Sequence, residues 1–301
     1  MNRVKFYFLE TRPQFLILSI ILVVLGWSIA LISGSAFSLQ NFMLALTGLI
    51  LLHISTNVLN DYFDYKSGID LNTDMSPFNG GSGLITSGKI SPKEILIFGI
   101  VTFLLAVPIG LYFLNLVGLK ILPIFILGAI FVLLYTPVLT KAGYGISEIA
   151  AGLGLGTLPV YGTFIILTGS YSYEALIFSI PSGLLVANLL ILNEIPDIEA
   201  DKTGGRKTLA IQMGALPVFN LYLFIDAIAY LWLVLFTLIG KLPVFSLLAL
   251  LTLPAYIKIV IKGKKLINTP DFTKIQGLNI IIILFTQLLF AIGLFINYYL
   301  R

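Results

Sequence analysis

The sequence predicts an all-α polytopic membrane protein in which nine transmembrane helices surround a central cavity. Of its 301 residues, 58% are hydrophobic and only 11% are charged, whereas about 25% of the residues of an ordinary soluble protein are charged. A transmembrane helix needs about 20 apolar residues to cross a hydrocarbon core of roughly 30 Å. The whole chain, residues 1–301, is therefore expected to form a single transmembrane domain. The nine predicted spans are residues 14–33, 41–60, 95–114, 119–136, 146–168, 174–193, 217–239, 242–261 and 276–299.

The basic residues indicate how these spans are oriented. Nine spans put the two termini on opposite sides of the membrane. All of the 18 Lys and Arg residues except Lys120, Lys241 and Arg301 then lie on the side of the N-terminus. Because Lys and Arg concentrate in cytoplasmic loops, the N-terminus is expected in the cytoplasm, and the membrane is the plasma membrane if the source is prokaryotic.

Acidic residues gather in two predicted cytoplasmic cap loops, about residues 61–94 and 194–216. All of the 14 Asp and Glu residues except Glu174 and Asp226 fall on the cytoplasmic side. Each loop begins with the same pattern, Asn60-Asp61-x-x-Asp64 in the first and Asn193-Glu194-x-x-Asp197 in the second. Each pattern follows an even-numbered span, with four spans between them. This echo indicates a pseudo-repeat of two four-helix units followed by a ninth helix.

The spacing of these polar residues places each set on one face of a helix. The first set recurs every three to four residues and the second every four. A carboxylate in mid-membrane costs about 2.5–3.5 kcal/mol, so both faces should point into a cavity. Pro196 lies inside the second set, and because it lacks a backbone donor it should bend or end the sixth helix. The two sets are Asn57, Asn60, Asp61 and Asp64, and Asn193, Asp197 and Asp201.

The types of side chain in these sets point to magnesium. The chain has no cysteine and one histidine, so its hard oxygen ligands favour Mg²⁺ over zinc or iron. Mg²⁺ typically bridges carboxylates to a phosphate group. Basic residues beside the carboxylates could neutralise the remaining phosphate charge. These are Lys141, Lys202, Arg206 and Lys207.

The two acidic motifs resemble those of the UbiA superfamily of intramembrane prenyltransferases, and the resemblance spans nearly the whole chain. The first motif, Asn60-x3-Asp64-x5-Asp70, has the longer spacing that is similar to the branch acting on 1,4-dihydroxy-2-naphthoate. Asp197 and Asp201, followed by Gly205 and Thr208-Leu209-Ala210, resemble the second motif of that branch. Further matches are Arg12-Pro13 before the first span and Tyr135-Thr136-Pro137, Lys141, Gly145 and Glu148 after the fourth.

This resemblance implies transfer of a polyprenyl group from an isoprenyl diphosphate to an aromatic acceptor. The acceptor expected is 1,4-dihydroxy-2-naphthoate, in menaquinone biosynthesis. The diphosphate would bind through two Mg²⁺ ions, and its loss would leave an allylic cation that an aromatic carbon attacks. The partners implied are the isoprenyl diphosphate, an aromatic quinone precursor and the lipid bilayer, with no nucleic acid.

Roles for individual residues also follow from the resemblance. Tyr135 would stabilise the cation with its π face, or alternatively anchor the chain at the membrane interface. The catalytic set is Asp64, Lys141, Asp197, Asp201 and Tyr135. The metal ligands would be Asp61, Asp64, Asp70, Asp197 and Asp201, and the diphosphate partners Asn60, Arg12, Lys202, Arg206 and Lys207.

Several alternatives stay open at this stage. The acceptor could be 4-hydroxybenzoate or another quinone or lipid precursor, and a different class of protein, a cation- or phosphate-coupled transporter, could also pair acidic motifs. His53 could pack through a hydrogen bond, contact the aromatic acceptor or act as a base. Asp226 could join helices by a hydrogen bond, lie near the membrane surface or take part in catalysis. The segment Asn79–Gly83 is interpreted as a lid over the cavity mouth. The small residues 150–156 suit close helix packing or room for an isoprenoid tail.

Overall fold

The computed structural model describes residues 3–73, 76, 78 and 80–300, and Asn79 of the predicted lid lies outside them. Every regular element within the described residues is helical, which confirms the predicted all-α class. The α-helices are α1 (Arg3–Glu10), α2 (Pro13–Ile32), α3 (Leu39–Ser67), α4 (Ile69–Asn72), α5 (Pro92–Val117), α6 (Leu122–Leu134), α7 (Ile146–Gly152), α8 (Leu158–Thr168), α9 (Tyr173–Thr203), α10 (Leu209–Met213), α11 (Ala215–Leu238), α12 (Leu253–Leu266) and α13 (Phe272–Tyr299). Short 3₁₀ stretches occupy Gly118–Ile121, Leu139–Lys141 and Val244–Thr252, and a π-helical turn joins α7 to α8 at Leu153–Thr157.

Eight helical segments of the described chain are long and apolar enough to cross a membrane, and the chain is an integral membrane protein. One of them, Pro92–Leu134, has 43 residues and would measure about 65 Å as a straight helix, roughly twice the hydrocarbon thickness. It contains the third predicted span and all but the last two residues of the fourth. The backbone turns at Gly118 (φ 74°), and Phe125 after this turn packs against Gly110 before it. The count of nine spans and the pseudo-repeat stay predictions.

The helix termini follow from local sequence. Ser91 and Glu94 form a capping box at the start of α5, with Pro92 at the first helical position, where its missing N–H costs nothing. Helix α3 ends where Gly68 adopts a left-handed conformation (φ 84°), from which its N–H bonds back to the carbonyls of Asp64 and Tyr65.

The predicted cap loops are shorter than expected, because two helices continue beyond the apolar residues. Helix α3 runs on to Ser67 and α9 to Thr203, so both acidic motifs lie largely on helices rather than in loops. The expectation that Pro196 ends the sixth span is wrong, since α9 continues through it to Thr203, and a bend at this proline stays a prediction. The Pro196 ring lies on the exposed side of α9, where it does not interrupt the face that carries Asp197 and Asp201.

Glycines bring α9 against the helical segment that precedes α8. A Cβ atom on Gly152 would lie 2.6 Å from the carbonyl oxygen of Gly183, and one on Gly156 would lie 2.6 Å from that of Ser182. Gly154 instead faces Phe131 at the cavity wall. The small residues therefore serve close helix packing at two positions and leave space beside the cavity at a third.

Two isolated polar residues inside the bundle are hydrogen-bonded. Asp226 on α11 is fully buried and accepts a hydrogen bond of 2.8 Å from the amide of Asn188 on α9. This confirms the hypothesis that it joins helices. His53 is 4% exposed, and its Nδ1 lies 2.8 Å from the hydroxyl oxygen of Ser19. That contact supports a packing role, although His53 also lines the cavity described next.

Candidate active site

A cavity of about 310 Å³ lies among α2, α3, α6, α7, α9 and α13. Its lining changes character along the helices that form it. On α3 it passes from Leu49 and Leu52 to Asn60 and Asp64, and on α9 it passes from Leu189 through Asn193 to Asp197 and Asp201. One end of the cavity is therefore apolar and the other is acidic. Both predicted polar faces point into it, apart from Asp61.

The two acidic motifs meet at one guanidinium group. Arg206 donates to Asp201 Oδ1 at 2.7 Å through one terminal nitrogen and to Asp64 Oδ1 at 2.5 Å through the other. The side chain of Arg206 is 15% exposed, and those of Asp64 and Asp201 are 10% and 2% exposed. A carboxylate from α3 and one from α9 are thus held on either side of the same group, although 142 residues separate Asp64 from Arg206.

Backbone geometry places Arg206 just beyond the end of α9. Gly205 has a positive φ of 76°, the Arg206 N–H donates to the Asp201 carbonyl, and the Lys207 N–H donates to the Thr140 carbonyl at 2.8 Å. Burial lowers the pKa of the guanidinium, but the carboxylates of Asp64 and Asp201 more than offset this, so that the pKa is raised. Arg206 is a permanent cation between the motifs.

Asp70 and Asp197 also line the acidic end of the cavity. Asp70 lies in α4, directly after the glycine that ends α3. Its burial, followed by the nearby carboxylates of Asp64 and Asp61, raises the pKa of Asp70 to about 7. Four of the five predicted metal ligands are therefore brought to one end of the cavity.

The fifth, Asp61, is turned away from the cavity lining. Asp61 Oδ2 accepts a hydrogen bond of 2.7 Å from the Ser82 backbone N–H, and the Ser82 hydroxyl donates at 2.6 Å to Glu10. Arg12 lies 3.8 Å from Asp61 Oδ1. Burial, then the charge of Asp61, raises the pKa of Glu10 to about 8. Asp61 thus joins α3 to α1 and to the loop that contains Gly80 and Gly81, which do line the cavity.

Of the predicted cationic residues, the structure brings only Arg12 and Arg206 into the cavity lining. Arg12 has a left-handed backbone (φ 53°), a strain of order 1 kcal/mol for a residue other than glycine, and its guanidinium lies 4.8 Å from the centre of the Phe15 ring. Lys141, Lys202 and Lys207 are exposed and lie outside the lining, and Lys202 pairs with Glu199 at 2.7 Å.

Asn60 and Tyr135 both lie in the wall of the cavity. The amide of Asn60 donates to the Thr136 hydroxyl at 3.2 Å, which connects α3 to the turn that follows α6. Tyr135 lines the cavity, so its ring is available to a bound ligand.

Two buried carboxyl groups beside the site, Glu148 and Glu194, lie in motifs that the sequence displays but had no predicted role. Glu148 accepts hydrogen bonds from the Ser147 hydroxyl at 2.7 Å and from the Leu209 N–H at 2.6 Å. Glu194 lines the cavity, contacts Glu148, and has one oxygen without a hydrogen-bond partner. The repeated Asn-acid pattern contains Glu194 and was the one available signal for it.

The donor set suits a hard divalent cation that shares its coordination with a ligand. Among the described residues, no three Asp, Glu, His or Cys side chains lie close enough to hold a metal ion by themselves. The Asp64 and Asp201 carboxylates nevertheless meet at one guanidinium group. Mg²⁺ commonly takes one or two carboxylates and completes its octahedron with phosphate oxygens and water. The residues present therefore fit Mg²⁺ bound together with a phosphate ester.

The fold and this cavity define a membrane-embedded enzyme whose acidic site opens on an apolar chamber. The UbiA prenyltransferase family model matches residues 19–274, and the chain belongs to this family. It is therefore a membrane-embedded prenyltransferase.

Curated relatives support the same assignment. The chain is 33% identical to a 1,4-dihydroxy-2-naphthoate octaprenyltransferase of Bacillus subtilis (strain 168), over 74% of this chain and 71% of that protein. It is 30% identical to the protein of the same name in Haemophilus influenzae, over 71% of each chain. A UbiA prenyltransferase domain-containing protein 1 of Xenopus tropicalis is 26% identical over 75% of this chain and 64% of that protein.

Solved structures share the fold. A digeranylgeranylglyceryl phosphate synthase superposes with a TM-score of 0.64 at 20% identity, over 98% of this chain and 99% of that one. A UbiA homologue from Archaeoglobus fulgidus, bound to GPP and Mg²⁺, superposes with a TM-score of 0.61 at 16% identity, over 95% of this chain and 99% of that one.

Proposed function

We propose that this prenyltransferase uses Mg²⁺ to transfer a polyprenyl group from an isoprenyl diphosphate to 1,4-dihydroxy-2-naphthoate, in menaquinone biosynthesis. The observation that carries this proposal is the meeting of Asp64 and Asp201, one from each acidic motif, at the acidic end of an otherwise apolar cavity. An isoprenyl diphosphate matches this cavity, because it has a charged head that can bind metal ions and an apolar hydrocarbon tail.

Asp64, Asp70, Asp197 and Asp201 would hold the cation, directly or through water. When bound, Mg²⁺ neutralises the diphosphate oxygens and so stabilises the charge that develops on the leaving group. A diphosphate carries several negative charges. Among the described residues, Arg12 and Arg206 are the cavity-lining cations that can donate to the oxygens that the metal does not contact.

The walls of the cavity serve the rest of the reaction. Leucine, isoleucine and phenylalanine side chains of α3, α6, α9 and α13 surround the prenyl tail and exclude water, which would otherwise capture the allylic cation. Tyr135 presents a neutral aromatic ring near the acidic end, where a π face stabilises positive charge on the first prenyl carbon. The bond between that carbon and the diphosphate breaks, and the diphosphate leaves with the electron pair. A ring carbon of the acceptor then forms the new bond, and it regains aromaticity by losing the group it carried, a proton or the carboxylate as CO₂.

The choice of acceptor rests on the relatives. The Bacillus subtilis and Haemophilus influenzae proteins are both named for 1,4-dihydroxy-2-naphthoate. The long spacing of the first motif, with Asp70 six residues after Asp64, supports the same branch.

We also propose how the helices are arranged in the membrane. Nine spans, with α5 and α6 as separate crossings, put the acidic end of the cavity on the side where Lys and Arg concentrate. That side is cytoplasmic by the positive-inside rule.

One assay tests the proposed function. Purified protein is incubated with Mg²⁺, geranylgeranyl diphosphate and a panel of aromatic acceptors that includes 4-hydroxybenzoate, and prenylated product and released diphosphate are measured. We expect the naphthoate to be prenylated, and Asp64→Ala and Asp197→Ala to lower the rate at least 100-fold. Asp271→Ala, at an exposed carboxylate paired with Lys274, is the matched control.

Each contrary result has a defined meaning. Absence of Mg²⁺-dependent diphosphate release with every acceptor would contradict the proposed reaction. Full activity in both cavity variants would contradict the proposed site. A preference for 4-hydroxybenzoate would change the acceptor and leave the chemistry in place.

A further inference from the structure

Arg206 occupies the place where the two acidic motifs come together. Its terminal nitrogens bond to Asp201 Oδ1 at 2.7 Å and to Asp64 Oδ1 at 2.5 Å. These are the same carboxylates that, under the proposed function, hold the divalent cation. Arg206 and the cation therefore have the same partners.

The two positive groups compete for these carboxylates. Two cations a few ångströms apart repel strongly in a buried site, where the effective dielectric constant is low. The carboxylates are nearly inaccessible to water, with side chains 10% and 2% exposed, so little screening is available. A cation that coordinates the Oδ1 atoms of Asp64 and Asp201 must displace the guanidinium.

The local structure gives the guanidinium another place to bind. Arg206 lies in a loop after α9 rather than inside a helix, and Gly204 and Gly205 precede it. Its side chain lines the cavity, and its Nε is buried without a hydrogen-bond partner. Guanidinium groups bind phosphate oxygens with paired N–H donors, so a diphosphate in the cavity would satisfy the terminal nitrogens and Nε together.

We propose that Arg206 is a positioning residue that couples the binding of the divalent cation to the binding of the diphosphate. The guanidinium holds the carboxylates of the two motifs together, yields them to the cation, and moves onto the diphosphate. This inference rests on the proposed function, because the cation and the diphosphate are those of the proposed reaction.

Coupled binding of the cation and the diphosphate has a thermodynamic signature. A cation that binds by itself must break two ion pairs and leave Arg206 without partners, so it binds weakly. A cation that binds with diphosphate provides Arg206 with new partners, so it binds more tightly. Such coupling is reciprocal, since each ligand must raise the affinity for the other by the same factor.

Direct binding of Mn²⁺, followed by electron paramagnetic resonance of the purified protein, tests this signature without any turnover. The variant Arg206→Gln removes the competing charge. We expect it to bind Mn²⁺ alone about ten times more tightly than the unmodified protein, and to lose most of the added affinity that inorganic diphosphate confers. Lys262→Gln removes one positive charge from an exposed position on α12 and is the matched control, with unchanged Mn²⁺ affinity.

The sign of the change separates this role from simpler ones. If Arg206 only binds diphosphate, the affinity for Mn²⁺ alone stays the same in Arg206→Gln. If it only holds the motifs together, that affinity falls because the ligands separate. Either result would overturn the proposal.

A second variant protects the test from a folding defect. Arg206→Met keeps much of the side-chain volume without charge or donors, and it is expected to bind Mn²⁺ alone more tightly, as Arg206→Gln does. Unfolding of both variants would also contradict the proposal, because a residue that leaves its carboxylates in every cycle cannot be indispensable to the fold. The proposed function fails separately, if the unmodified protein prenylates no aromatic acceptor while the Mn²⁺ results hold.

Discussion

Asp61 and Asp64 are three residues apart on α3, and their side chains serve different parts of the molecule. Asp64 lines the cavity and bonds to Arg206. Asp61 accepts the Ser82 backbone N–H and lies outside the lining. Successive residues of a helix are rotated by about 100°, so side chains three residues apart point in directions about 60° apart. This difference allows the two carboxylates to have different partners.

This difference predicts unequal effects of the same substitution. Asp64→Asn removes the negative charge that the cation requires, and we expect prenyl transfer to fall at least 100-fold. Asp61→Asn keeps a carbonyl oxygen that can accept the Ser82 N–H, so the rate should fall less than tenfold. The measurement is the initial rate of Mg²⁺-dependent prenyl transfer at saturating substrate.

Equal losses in the two variants would show that Asp61 binds the cation as the first motif implies. In that case the hydrogen bond to Ser82 would have to break when substrate binds. The thermal unfolding midpoint of each variant checks that both remain folded.

At the scale of elements, the contact between α7 and α9 depends on the absence of side chains. A Cβ atom on Gly152 would meet the Gly183 carbonyl oxygen at 2.6 Å and the Cβ of Ala187 at 3.0 Å. Since α7 carries Glu148 and α9 carries Glu194, Asp197 and Asp201, their separation sets the width of the acidic end of the cavity.

Gly152→Ala should therefore destabilise the protein by about 1–3 kcal/mol. Glycine to alanine inside a helix ordinarily stabilises by roughly 0.5–1 kcal/mol, so the expected sign is reversed by the clash. The measurement is the thermal unfolding midpoint in detergent, which should fall by several degrees.

Gly128 on α6 provides the matched control, because a Cβ atom there meets nothing within 4 Å. Gly128→Ala should leave the midpoint unchanged or raise it slightly. Equal midpoints for the two variants would mean that α7 and α9 can move apart without cost.

The apolar parts of the helices could be predicted from the sequence, but the polar turns that extend some of them could not. The start of α2 at Pro13 agrees with the predicted first span to one residue. By contrast, α3 and α9 continue past their last apolar residues, because a helix needs only internal hydrogen bonds and a cavity accepts the polar face. An apolar-length criterion stops at the first charge and misses those turns.

The candidate site was likewise predictable only in part. The spacing of Asn193, Asp197 and Asp201 predicted one shared face, and all three line the cavity. The contact of Glu10 with Ser82 joins residues 72 positions apart, and no periodicity signals it. The exposure of Lys141 was equally invisible, since nearness in a loop diagram does not determine the direction of a side chain.

At the scale of the whole molecule, the distribution of basic residues predicts the orientation. Lys264 lies in the basic end of α12 and Lys120 in the turn between α5 and α6, and both are exposed. If the N-terminal side is cytoplasmic, these two positions face opposite compartments.

Cysteine labelling checks this prediction without background, because the chain has no cysteine of its own. In intact cells, a membrane-impermeant maleimide should modify Lys120→Cys and leave Lys264→Cys unmodified. After the cells are broken, both should react. Labelling of Lys264→Cys alone in intact cells would show that the orientation is the opposite of the predicted one and that the acidic end of the cavity faces outside.

The hydrogen bonds around Ser82 also connect α1 mechanically to the wall of the candidate site. Glu10, the last residue of α1, bonds to the Ser82 hydroxyl, and the Ser82 backbone bonds to Asp61 on α3. A displacement of α1 is thus transmitted through two short hydrogen bonds to the loop that lines the cavity. An affinity tag or fusion partner attached ahead of α1 would therefore disturb this loop. For expression work, the opposite end of the chain is the safer point of attachment.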